Sequence, residues 1–128
     1  MRVMATRVKI IAGNVSVTAM LNDSPTAASI VQALPITGEA NRWGDEIYFE
    51  IPVKQGLAPD ARTEMDIGEL AYWPVGRAMC IFWGPTPASR GNKPVAASKV
   101  NPIGNVEGDA TGFSGVEDGT PIRIEWLP

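Results

Sequence analysis

The chain has 128 residues, 45% of them hydrophobic and 20% charged, with a net charge of −3 and no histidine. That is the size and balance of one soluble domain with one core, residues 1–128. The acidic balance excludes a nucleic-acid partner held through its phosphates, and no segment approaches the ~20 apolar residues that span a bilayer. The lone Cys80, between Met79 and Ile81, reads as a buried thiol. With a basic N-terminus that lacks a signal-peptide apolar run, it points to a cytoplasmic protein, with Met4 as a second start position.

Thirteen glycines and eleven prolines fall singly along the chain, as punctuation between many short strands. "RVKII", Gly13-Asn14 and "VSVTAML" read as a hairpin, with Val15, Val17, Ala19 and Leu21 on one face. "NDSPTAASIVQALP" is the clearest helix, from about Pro25 to Leu34. Asp23 or Ser24 can cap it, Pro25 fits its first turn, and Ala27, Ile30, Val31 and Leu34 form its apolar stripe.

In "DEIYFEIPV", Ile47, Phe49, Ile51 and Val53 form a dry face, opposite a wet face of Glu46, Tyr48 and Glu50. "KQGLAPDARTE" reads as a polar excursion. "MDIGELAYW", a "PVG" turn and "RAMCIFW" form a strand pair, and Gly84 to Pro102 reads as loop. "PIGNVEG", "TGFSGV" and "PIRIEWL" complete the strands, the last with Ile122, Ile124 and Trp126 on its core face. About seven or eight strands with one helix predict a mainly β fold, a closed antiparallel barrel. "RVKII" and "PIRIEWL" would pair to close it.

Three segments, "LNDSPTAASIVQALPITGEANRWGDEIYFEIPV", "IGELAYWPVGRAMCIFWGPTPASRG" and "VNPIGNVEGDATGFSGVEDGTPIRIEW", cover nearly the whole chain. They resemble the cyclophilin-like family of small bacterial and archaeal proteins, relatives of the cyclophilin barrel. The resemblance implies an eight-stranded barrel with one main helix and shortened loops. By comparison with true cyclophilins, Phe82 would take the proline-pocket aromatic, Trp73 the facing wall and Arg42 the catalytic arginine. The chain departs from cyclophilins in lacking histidine and the helical insert that bears their second aromatic wall. Its arginine also stands in "NRWGD" and not in the cyclophilin motif.

Arg42, Arg77 and Arg90 flank aromatics or prolines in predicted loops. Each is either a solvated arginine, or one paired with a carboxylate such as Asp45, or a rigid donor to a bound carbonyl or carboxylate. Trp43, Trp73 and Trp83 stand beside them, and Tyr48 points away from the core face. On "RAMCIFW" both faces are apolar: the strand is buried on both sides, or Phe82 and Cys80 floor an outer groove. "GPTPASRG" is a stiff loop or a preordered rim presenting Thr86, Ser89 and Arg90. Without histidine or a second cysteine, the residues support no catalytic assignment, metal site or cofactor.

The leading expectation is therefore a binding module for a small molecule or short peptide. Its outer groove would be lined by Arg42, Trp43, Tyr48, Trp73, Arg77, Phe82, Thr86 and Arg90. A weak peptidyl-prolyl isomerase is the alternative, since isomerisation needs an apolar seat and an arginine donor but no acid or base. A third reading has no site and gives the aromatic segment to the core and a homo-oligomer interface.

Overall fold

The computed structural model describes residues 5–127; Met4, the second start position, lies outside them. The first hairpin forms as the alternation requires. Strand β1 (Thr6–Ala12) turns at Gly13-Asn14 into β2 (Val15–Leu21), and Ala19 and Leu21 are buried. Helix α1 (Pro25–Ala33) follows. Ser24, not Asp23, is its cap: the Ser24 hydroxyl accepts from the Ala27 amide at 3.2 Å. Ala27 and Ile30 are fully buried, and Val31 and Leu34 pack more loosely at the margin of the core.

The rest is strand: β3 (Ile36–Glu39), β4 (Asn41–Arg42), β5 (Glu46–Glu50), β6 (Arg62–Glu64), β7 (Glu69–Trp73), β8 (Ala78–Phe82), β9 (Val95–Glu107) and β10 (Pro121–Trp126). The hydrogen-bonded order is β3-β10-β1-β2-β9-β7-β8-β5-β4, with β6 joined to β9. The terminal segments do pair, antiparallel, with Ile10 opposite Ile124. They do not close the sheet, however, because β3 and β4 are its two ends. The expected closed eight-stranded barrel is thus corrected to a ten-stranded antiparallel sheet not closed by hydrogen bonds.

The two edges nevertheless meet. The chain passes directly from β3 to β4 through Ala40, whose amide donates to Thr120 at 2.8 Å. At β3 the backbone of Gly38 lies so close to Glu50 that an added Cβ would stand 3.3 Å from the Glu50 carbonyl oxygen. Covalent continuity does here what a ladder does in a true barrel.

Three further expectations fail for local reasons. Val95–Pro102 is not loop but the first half of a 13-residue strand. Pro102 is tolerated because it sits at a register shift between β7 and β9, where a ladder amide is dispensable. "TGFSGV" is a short 3-10 helix at Ala110–Gly115, capped by Asp109, which inserts Phe113 into the core. Trp126 has the parity of Ile124 but is 52% exposed. Strand β3 begins at Ile36, opposite Ile124, so its ladder does not extend to the tryptophan.

The main core fills the inside of the curled sheet and includes Ile47, Phe49, Leu70, Tyr72, Met79, Ile81, Trp83 and Phe113. A second, smaller cluster lies on the other face: Met65, Ala71, Cys80, Phe82, Ala96 and Val100. The early part of β9 and the segment around β6 cover this outer face. Strand β8 is consequently buried on both sides, every residue from Ala78 to Phe82. Phe82 is fully enclosed, as Ile81 is, and is no exposed groove floor. Among the described residues, no helix is long and apolar enough to cross a membrane.

Candidate functional site

The outer face contains one well-formed recess. It holds about 150 Å³ and is lined by Trp43, Glu46, Tyr48, Trp73 and Cys80 together with Ala96, Ala97 and Val100 of β9. Pairing brings these residues together. Tyr48 stands opposite Cys80 in the β5–β8 ladder, and Cys80 opposite Ala71 in the β7–β8 ladder. Glu46 and Trp73 lie two residues from Tyr48 and Ala71, so the period of two places them on the same face. The floor is made of small side chains and the walls of aromatic ones, which leaves the space open.

Each wall is fixed. Trp73 donates its indole N–H to the Ser98 hydroxyl at 2.7 Å. Its ring lies against the following turn, where a Cβ on Gly76 would come within 2.6 Å of it, so only glycine fits there. Tyr48 meets Trp73 edge-on, with centroids 5.8 Å apart and planes at 78°, so the two rings form adjoining walls. Trp43 sits at the start of a turn closed by its own amide donating to the Glu46 carbonyl at 2.9 Å.

Arg42 fastens that turn. Its Nε donates to the Gly44 carbonyl at 2.5 Å, and Nη1 donates to the carbonyls of Ser114 at 2.9 Å and Val116 at 3.1 Å. It also pairs with Asp45 at 3.4 Å and lies over the Trp83 ring, 5.0 Å from the centroid. Trp83 belongs to the inner core, on the opposite side of β8 from Phe82. Arg42 and Phe82 therefore share no pocket.

Of the eight residues expected in a groove, the recess brings together Trp43, Tyr48 and Trp73. Phe82 lies in the packed cluster of the same face. Thr86 is buried in its own loop, its hydroxyl donating to the Val95 carbonyl at 2.5 Å and accepting from Ala88. Arg77 occupies the β7–β8 turn with φ of 48°, beside a shallow depression with Glu50 and Lys54. Arg90 borders another with Thr63 and Glu64.

Sequence reasoning missed Glu46, which alternation puts on a wet face. It is 4% exposed, because the β9 arm covers that face. Among the described residues, no arginine or lysine pairs with its carboxylate and no N–H or O–H group hydrogen-bonds to it. Burial raises its pKa from 4.5 to about 7, and contact with the Cys80 thiol, a weak donor, offsets part of the rise. The thiol is in turn pushed well above its ordinary range, by burial first and then by the adjacent Glu46 charge. The signal was available only in part: Glu46 lies on the strand that carries Tyr48, but its covering strand is remote in sequence. Among the described residues, no cluster of three His, Cys, Asp or Glu side chains is placed to hold a metal ion.

The family profile described as cyclophilin-like matches residues 6–125. The solution structure of a hypothetical protein from Archaeoglobus fulgidus is similar at 36% identity and a TM-score of 0.84, covering 98% of each chain. No curated protein matches the chain.

Proposed function

The chain belongs to the cyclophilin-like family, and we propose that it is a binding module whose site is the recess between β5, β8, β7 and the β9 arm. One observation carries this reading: three aromatic side chains line an open space whose wall includes a buried carboxylate that no described residue neutralises. A carboxylate desolvated without a partner costs several kcal/mol when ionised, and a purely structural role would have favoured an apolar residue there. At about 150 Å³ the space is smaller than the ~300–1,000 Å³ that enclose whole drug-sized ligands. It suits a head group of a small molecule, or one side chain or terminus of a short peptide, with the remainder outside.

Binding is preferred to proline isomerisation because Arg42 is engaged by backbone carbonyls and Phe82 is sealed. An isomerase site would need both to face one proline.

Amide and indole NMR with a library of small fragments tests the proposal. Shifts should gather at Trp43, Tyr48, Trp73 and Ala97, and Ala97→Leu, at an exposed rim position, should abolish them without loss of fold. Shifts that avoid these residues would overturn it.

A further inference from the structure

The recess accepts one chemical class best. We propose that its ligand carries an organic ammonium group, held by the faces of Trp43, Tyr48 and Trp73 and neutralised by the Glu46 carboxylate. This deepens the binding reading above and rests on it.

An anion would meet Glu46 and no cation, because among the described residues no lysine or arginine lines the recess. A wholly apolar group would seal the carboxylate from water without compensating it. A cation resolves both problems. Aromatic faces attract positive charge through their quadrupole, most strongly when the pair is desolvated, and an indole does so better than a phenol ring. Tyr48 and Trp73 stand nearly perpendicular to one another at the recess, and Ser98 occupies the Trp73 N–H, so the indole offers the space its π-system and no free donor.

Size agrees with this. A cavity near 150 Å³ holds a group about as large as benzene, which is the class of a trimethylammonium head.

Glu46 is raised to about 7 by burial, so binding of a cation must draw it into the ionised form. The other ionisable side chains lining the recess are Tyr48 from β5 and Cys80 from β8, the latter held neutral by burial. Trp73 from β7 and Ala96, Ala97 and Val100 from β9 do not titrate. Affinity for a permanent cation should rise with pH, by up to about tenfold per unit below the Glu46 midpoint, and then level off.

The experiment is calorimetry and indole NMR with three probes: choline, its uncharged tert-butyl analogue, and a short peptide bearing trimethyllysine. Choline or the peptide should bind about tenfold or more tighter than the uncharged analogue at pH ~8.5. Glu46→Gln should remove that preference and its pH dependence. A tighter peptide would mark a polypeptide source of the ammonium, and tighter choline a free small amine. If the uncharged analogue binds as well as choline, or affinity falls with rising pH, the ammonium proposal is overturned while the recess stands as a site. If neither these probes nor any fragment perturbs the three aromatic residues, both fail.

Discussion

Two glutamates are buried on the outer face of the same sheet, and the fold treats them in opposite ways. Glu69, at the start of β7, is 6% exposed and fully engaged: both its oxygens take the Arg62 guanidinium, and one also accepts from the Asp66 amide at 3.0 Å. Glu46, at the start of β5, is as deeply buried and faces an open recess with only a thiol beside it. Strand β6 supplies the difference, bringing Arg62 over one end of the face while none of the strands around the other end brings a cation. A paired buried carboxylate belongs to the architecture. An unpaired one beside a cavity is a structural cost that a ligand can remove.

Substitutions can break or sharpen this contrast. The largest effect should come from Phe82→Ala, which empties the packed cluster of this face; chemical denaturation should show a loss of about 3–5 kcal/mol. A loss under about 1 kcal/mol would mean that the face is loosely packed and its burial pattern misassigned.

Glu46→Gln should act in the opposite direction and depend on pH. The folded-state pKa of about 7 lies above the ordinary 4.5, so the folded protein binds the extra proton, and stability falls as pH rises between those values. The raised pKa corresponds to about 3 kcal/mol lost by pH ~8. Glu46→Gln should recover most of that at pH ~8 and nearly nothing at pH ~4, so comparing melts at the two values checks the sign.

Glu69→Gln should instead destabilise at pH ~8, by about 1–2 kcal/mol, since it weakens a charge-assisted pair whose arginine is partly solvated. If the two Glu→Gln substitutions shift stability in the same direction there, the contrast is lost. The smallest effect should be that of Trp126→Ala, within about 0.5 kcal/mol despite the size of the residue, because the indole is half in solvent.

Local signals were the legible ones. Alternation identified the β1–β2 hairpin and the dry face of β5, and Ser24-Pro25 with a 3–4 stripe identified α1. Met79, Ile81 and Trp83 are core, as the parity of their strand requires. What depended on distant segments was not legible. Whether Glu46 is wet, whether Phe82 is open and whether Arg42 is free are all decided by β9, by the 3-10 helix and by β6, and no spacing within β5 or β8 encodes their arrival. Tyr48 was found because an aromatic residue on a polar face stands out, Trp43 because it adjoins Arg42, and Trp73 through the resemblance to cyclophilins. Glu46 was not, because a glutamate at an alternating polar position looks ordinary.

The most direct measurement is a ¹³C NMR titration of the Glu46 side-chain carboxyl in the folded protein. A midpoint near 7, well above those of the exposed glutamates, is the expected result. A midpoint near 4.5 would mean that the carboxylate is hydrated or already paired, and would contradict the account of Glu46 as a buried carboxylate without a partner.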